Sequence, residues 1–249
     1  MSWQKCKGWC DMKKIAKKIL VIVAHPDDEV LGCGGTIAKH ISAGEELNVM
    51  VLADGVTSRY YEPKVSLDKE GKKYKRLIDI RLDEFYTAAA LLGVKKSQCY
   101  YLGLPDQRLD AFPLLDVVKK IEALAEKLVP EVIYTHHWGD LNKDHRICYE
   151  ATMTAFRPSK KANENRSIYC FEINGNMDYL SPLAANTFRP DQFNDVSGFI
   201  HKKISALTAY KSEHLIYPSP LSPQQIINLS IRRAKNKPYK HAESFERAK

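Results

Sequence analysis

The stretch VIVAHPDDEVLGCGG, residues 21–35, decides the fold class of this 249-residue chain. A β-branched apolar run ends in a histidine and three consecutive carboxylates, and a glycine-rich turn follows at once. Short apolar runs bounded by glycine and polar residues read as buried parallel strands. The segment LGCGGTIAKHISAG behind it reads as a helix over about 30–43, stopped by Gly44. His25, Asp27, Asp28 and Glu29 are thereby set at the carboxyl end of a central strand, where open α/β sheets bind their ligands. Three adjacent acids repel one another and resist desolvation, so the cluster calls for a cation. A histidine with an aspartate is ligand chemistry for a divalent ion such as zinc. The plainer reading is an acidic helix cap with His25 packed locally, yet capping needs one acid, not three behind a histidine.

Outward from this stretch, strand and helix patterns alternate. The first strand reads as 19–24, and a second, ELNVMVLAD, breaks at Asp54-Gly55. Residues 56–78 are polar, Lys-rich and without clear period, which reads as a loop over the site. A helix, RLDEFYTAAALLGV, begins at Asp79 and ends at Gly93. Then come a strand, QCYYLGL, a loop with Pro105 and Asp106, and a helix, PLLDVVKKIEALAEKLVP. A strand, EVIYTHH, and a helix, ICYEATMTAF, follow. Alternation with short connections predicts an α/β fold, a Rossmann-like, mostly parallel sheet with helices on both faces. The last third is less regular: SIYCFEI is strand-like, 174–195 is loop-rich, and FIHKKISALTAYKSE is helical. Neither repeats nor long linkers interrupt the pattern, so a single domain over 19–249 is expected behind a basic extension, 1–18.

The segment THHWGDLNKDHR, residues 135–146, repeats the logic of the first cluster. An apolar strand delivers His136 and His137 to its carboxyl end, with Asp140, Asn142, Asp144 and His145 on the turn that follows. In a parallel sheet such ends share one edge, so the two clusters can share a crevice. A catalytic zinc takes three protein ligands and an open position. His25, Asp28 and His145 would supply a His2Asp set, with Asp144 bracing a ligand histidine. His136 and His137 are adjacent on a strand and point to opposite faces, so only one can reach the crevice. Each reads more readily as a buried histidine bonded to backbone. His40, His201, His214 and His241 suit surface or capping roles.

Composition sets bounds. Hydrophobic residues make up 44% of the chain and aromatics 10%, enough for a sizeable core. No apolar run approaches the ~20 residues of a membrane span, and the basic N-terminus lacks an apolar signal segment, so a cytoplasmic protein is expected. The net charge is +8, concentrated at Lys5, Lys7, Lys13, Lys14, Lys17 and Lys18 and at Arg232, Arg233, Lys235, Lys237 and Lys240. Solvated ends explain it, and an anionic substrate is the sharper alternative. The six cysteines do not form a disulfide framework, and Cys6 and Cys10 lack a second pair to complete a zinc site. No nucleic-acid partner is expected. There is no G-x-G-x-x-G fingerprint, and three acids stand where a phosphate would sit. A homo-oligomer is compatible with the sequence.

AHPDDE with its glycine-rich turn, followed far downstream by N-x-D-H, resembles the bacterial branch of the LmbE-like, or PIG-L, family of zinc-dependent de-N-acetylases. The family includes N-acetylglucosaminyl-phosphatidylinositol de-N-acetylases and bacterial thiol-sugar deacetylases. The likeness extends over LADG with Thr57 and Arg59, RLDEFYTAAALLGV, YLGLPD, AFRP, KISALTAYKSE and AESF. It implies a hydrolase that removes an acetyl group from an N-acetylated sugar, nucleotide-, lipid- or glycan-linked. The alternatives are an amidase acting on another acyl group of a sugar or thiol conjugate and, far behind, a non-catalytic nucleotide- or nucleic-acid-binding protein. By the resemblance, zinc or another divalent ion such as Fe2+ is held by His25, Asp28 and His145, and Asp27 is the general base. Asn142 stands where some members place a histidine for the oxyanion, a role that would fall to Asn142 as a neutral donor or to His137. Asp144 is grouped with the catalytic residues. Arg59 is a substrate-side position for a sugar hydroxyl or phosphate, Arg81 a structural one beside Glu84, and Asp106 a further substrate contact. Glu29 is expected to cap the helix or orient a ligand histidine.

Overall fold

Strand β1, Lys18–Val23, divides its side chains between two cores. Ile19, Val21 and Val23 face one apolar cluster, while Leu20 and Ile22, with Ala24 just beyond, face another. That division is the period-2 geometry of a strand buried on both sides. The computed structural model describes residues 16–60, 67–158, 164–176, 186–213 and 215–248. Cys6, Cys10, most of the basic extension and His214 lie outside the described residues.

The chain continues through α1 (Asp28–Ser42), β2 (Glu46–Ala53), α2 (Leu67–Leu92), β3 (Cys99–Leu104), α3 (Leu114–Leu128), β4 (Val132–His136) and α4 (Lys143–Ala155). It closes with β5 (Ser167–Phe171), β6 (Gln192–Asp195), α5 (Ile200–Leu207), α6 (Pro223–Ala234) and β7 (Ala242–Arg247). The sheet runs β3-β2-β1-β4-β5-β7-β6. Its first five strands are parallel, and β7 pairs antiparallel with both β5 and β6. Helices α1, α2 and α5 cover one face, α3 and α4 the other. After β3 the chain returns to the far side of β1, so the strand order reverses between β1 and β4. Such a switch point opens a crevice at the carboxyl ends of the two strands.

Three features differ from the sequence reading. Helix α2 begins at Leu67, inside the stretch expected to be a loop to residue 78. LDKEGKKYKR lacks an apolar period, but Leu, Lys, Glu and Arg are strong helix formers, and the periodic half carries the buried Phe85, Ala88, Ala89 and Leu92. The helix expected over about 30–43 is present as α1 and takes in the glycines of GCGG instead of leaving them in a turn, but it is kinked at Cys33 (φ −145°, ψ 24°). A Cβ on Gly32 would stand 2.2 Å from the Phe171 ring, so glycine lets α1 lie directly on β5. Third, the irregular last third supplies α6 and two strands that extend the sheet with an antiparallel edge. Arg233 of the C-terminal basic cluster is not loose in solvent: it makes a two-point contact with Glu172 at 2.6 and 2.5 Å. No helix among the described residues is long and apolar enough to cross a membrane.

Candidate metal centre

The turn from β1 into α1 is strained and heavily tied. Asp27, the residue before the helix, has φ +112°, a conformation costly for any side chain with a Cβ. Its N–H donates to Glu29 Oε2 at 3.0 Å, and the His25 N–H donates to Asp28 Oδ2 at 2.8 Å. Arg81 Nη1 donates to the Pro26 carbonyl at 3.3 Å. Glu29, fully buried, also accepts the Tyr210 hydroxyl at 2.5 Å. Burial pushes its carboxyl up to about 7, against the pull of that hydroxyl. Glu29 thus holds the backbone of Asp27 rather than a ligand histidine.

Helix α4 starts on an Asn142 cap whose Oδ1 accepts the Asp144 N–H at 2.9 Å. The helix begins at Lys143, earlier than its apolar pattern, and carries His145 in its first turn. His25 Nδ1, Asp28 Oδ2 and His145 Nε2 form a triangle with sides of 3.3, 3.4 and 3.3 Å. Bonds of about 2.0–2.1 Å to a tetrahedral ion put ligand atoms about 3.3–3.4 Å apart, so the triangle has the size of such a face.

The outer nitrogens of the same rings are directed at carboxylates. His25 Nε2 lies 3.0 Å from Asp106 Oδ1 and 3.2 Å from Asp144 Oδ2. His145 Nδ1 lies 3.0 Å from Asp140 Oδ2. With their N–H groups outward, both rings turn lone pairs inward toward a carboxylate, an arrangement that repels unless a cation sits among them. Burial alone would lower the His25 pKa, but Asp106, Asp144 and Asp28 outweigh it and raise it well above its ordinary value. A corner that draws a proton onto its histidine this strongly suits a cation. Burial alone would raise Asp28; His145, His136 and His25 hold it well below the usual carboxylate range. The residues present therefore fit a divalent ion.

Two other groupings reuse the same histidines: His25 with Asp106 and Asp144, and His136 with Asp140 and His145. In the second, the imidazoles stack at 3.9 Å and 20°, so their in-plane lone pairs run side by side instead of converging. We read both as supports of the first set.

Asp27 lines a cavity of about 200 Å³ together with His25, Asp28 and His145. Burial, then the neighbouring Asp28 charge, pushes its carboxyl up to about 8, with Arg81 opposing. The cavity wall also includes Arg59, Asp106, Gln107, Asn142 and Asn176. Arg59 is already paired: its Nη2 donates to Glu213 at 2.9 and 2.6 Å. Arg81 also contacts Glu213, and its Nε lies 3.6 Å from Glu84. Asp106 serves both as cavity wall and as support of His25, and accepts the Ser58 hydroxyl.

Two expectations are corrected. Asp144, grouped with the catalytic residues and also expected to brace a ligand histidine, takes the bracing position only: it does not line the cavity, its Oδ2 lies 3.2 Å from His25 Nε2, and its oxygens accept the Gln107 and Leu109 N–H groups at 2.8 and 3.1 Å. His137, offered as an oxyanion and substrate group, is instead the buried, backbone-bonded histidine that its strand position favoured: it lies on the far side of β4, where Nδ1 accepts the Gly139 N–H and Nε2 lies 3.4 Å from Glu246. Strand alternation sends it there. His136, on the other face, comes closer: Nε2 accepts the Ala24 N–H at 3.0 Å and lies 3.3 Å from Asp28. Burial, then His145, lowers its pKa to about 4, so it is a neutral support.

Asp140, Tyr210 and Glu213 are functional neighbours that motif reading did not single out. Asp140 lay in the quoted cluster without a role; the other two lay in KISALTAYKSE, whose polar residues carried no assignment.

The sequence model of the PIG-L family, GlcNAc-PI de-N-acetylase, matches residues 20–156, more than half of the chain and both polar turns. The chain belongs to this family. Among PIG-L relatives, the diacetylchitobiose deacetylase of Thermococcus kodakarensis is 29% identical over 205 residues, covering 79% of this chain and 70% of its own. The 4-oxalmesaconate hydratase of Pseudomonas putida is 27% identical over 224 residues, covering 84% and 80%. The solved N,N'-diacetylchitobiose deacetylase from Pyrococcus horikoshii, complexed with its inhibitor MPG, has a TM-score of 0.70 at 23% identity, covering 94% of this chain and 84% of that one. The PIG-L fold therefore extends through the irregular last third. A hydratase among the relatives shows that the scaffold serves more than one chemistry, so activity has to be argued from the site.

Proposed function

We propose that this PIG-L protein is a zinc-dependent hydrolase that removes the acetyl group from an N-acetylated sugar. The observation that carries the reading is the convergence of His25 Nδ1, Asp28 Oδ2 and His145 Nε2 in the wall of a cavity that Asp27 also lines. An ion held by these three residues supplies Lewis acidity toward a carbonyl and toward water. Zinc suits the His2Asp set, and Fe2+ is the alternative ion the same donors accept. Asp27, raised toward neutrality and unbonded to that set, is the group placed to take a proton from attacking water and deliver it to the leaving amine. Asn142 uses its side-chain oxygen in the helix cap, so what it offers an oxyanion is its amide N–H.

The cavity wall suits a sugar. Asn142, Asn176, Gln107 and Asp106 are hydroxyl-bonding side chains around a small polar space. Arg59 is already engaged by Glu213, which favours hydroxyl recognition there over gripping a phosphate. A glycan-linked or free N-acetylated sugar is therefore preferred to a nucleotide-linked one.

The test is to incubate zinc-loaded protein with free, glycan-linked and nucleotide-linked N-acetyl sugars and assay new primary amine and acetate. The expected result is equal amounts of both, abolished by chelation and restored by zinc. Larger acids released in place of acetate would move the reading to an amidase, and no amine from any substrate would overturn it.

A further inference from the structure

Helix α1 is interrupted, and two charged side chains from distant elements fill the interruption. In an unbroken helix the Gly35 N–H would bond the Leu31 carbonyl four residues back. Around the kink at Cys33 those groups are taken by others. The Leu31 carbonyl accepts Lys203 Nζ at 2.9 Å. The Gly35 N–H donates to Glu243 Oε1 at 2.9 Å and the Thr36 N–H to Glu243 Oε2 at 2.7 Å. Lys203 Nζ and Glu243 Oε1 then close on each other at 2.6 Å. Both residues are nearly inaccessible to solvent, at 3% and 4%. Glycine makes room: a Cβ on Gly34 would meet Lys203 Cγ at 3.3 Å, and one on Gly35 would meet Val196 at 2.8 Å.

We infer that Lys203 and Glu243 are positioning residues, a splint that sets the orientation of the short helical piece bearing Asp28 and Glu29. A buried ion pair is a poor source of stability, since well-packed apolar residues often do as well. What apolar residues cannot do is satisfy one orphaned carbonyl and two orphaned N–H groups at a helix break. The piece N-terminal to the kink begins with Asp28, whose Oδ2 is one corner of the triangle. The His25 N–H ties that corner locally, but the helical ladder does not carry the piece across the kink, and the splint is what joins it there to α5 and β7. Further along the same segment, Tyr210 holds Glu29 and Glu213 holds Arg81, so the chain from Lys203 to Glu213 grips the piece from both ends. KISALTAYKSE and AESF thereby acquire one shared role.

The inference rests on the reading of His25, Asp28 and His145 as a metal set, and its test separates the two. Lys203→Met, and the neutral pair Lys203→Met with Glu243→Gln, are compared with wild type in the full-length protein. The second variant guards against misfolding caused by an unpaired buried Glu243. Hydrogen exchange of α1 amides in metal-free protein and cobalt(II) affinity by competition titration are both measured. The expected result is exchange at Gly35, Thr36 and the first turns of α1 accelerated about tenfold, with β1, β2 and β4 unchanged. Cobalt affinity falls about tenfold, the lower range for loss of support around a metal. Exchange within twofold of wild type, or acceleration spread evenly over the sheet, overturns the splint. Local acceleration with unchanged cobalt affinity overturns its link to the site. If wild type binds no cobalt, the metal reading falls, and the exchange pattern still decides the splint.

Discussion

Asp140 Oδ2 lies 3.0 Å from His145 Nδ1, on the side of the imidazole opposite His25 and Asp28. Both groups are buried to within 2%. A carboxylate at that distance favours the proton on Nδ1, which leaves the Nε2 lone pair for His25 and Asp28. Asp140→Ala is expected to lower zinc affinity about 10–100-fold, while Asp140→Asn, which can still accept, retains more of it. Competition with a chromophoric chelator measures both, and unchanged affinity in the alanine variant would remove Asp140 from the site.

On the proposed function, ligand and base should separate by mutation. His145→Ala should lose the metal, whereas Asp27→Ala should keep it and lose about 10²–10⁴ in kcat, the range typical of a general base. Metal content by elemental analysis and turnover by amine release are read on the same samples. Full activity in Asp27→Ala would end its assignment as the base.

Gly32→Ala sets two effects against each other. Alanine in a helix gains up to about 1 kcal/mol over glycine. The new Cβ would stand 2.2 Å from Phe171 Cδ2, and such overpacking costs about 1–3 kcal/mol. The clash should win, lowering the urea midpoint, and Phe171→Leu in the same chain should recover part of the loss. A midpoint at or above wild type would show that α1 and β5 can separate freely.

Burial pushes the thiols of Cys148 and Cys99 up to about 12 and raises those of Cys33 and Cys170 as well. A thiol with a pKa near 12 is ionised in about one molecule in ten thousand at pH 8, and only the thiolate reacts. In native protein Cys33, Cys148 and Cys170 should therefore resist iodoacetamide under conditions that label free cysteine, and react in urea. Peptide mapping by mass spectrometry distinguishes the outcomes, and rapid native labelling of Cys148 would contradict its burial.

The chain's local chemistry was enough to read the parallel half of the sheet, because each of those strands is an apolar run ending at a polar turn. Both ends of the site were legible for the same reason: His25 and Asp28, like His145, stand where a strand or its turn breaks from apolar to charged. Local pattern failed where helix formation does not need apolar period, as in the Lys-rich start of α2. It failed again where short strands are stabilised only by their partners, as with β6 and β7.

What the amino-acid order settled unaided was which residue types stand at which strand ends, since hydrophobic alternation and turn chemistry act over a few neighbours. Tertiary structure alone decided what each charge faces. Asp140 and Asp144 differ by four positions in one turn, yet one supports His145 and the other His25. Arg59 is matched by Glu213, and a lysine and a glutamate from α5 and β7 complete a helix they do not belong to. These pairings join groups up to 208 positions apart, and directional hydrogen bonds over such separations are set by packing, not by composition.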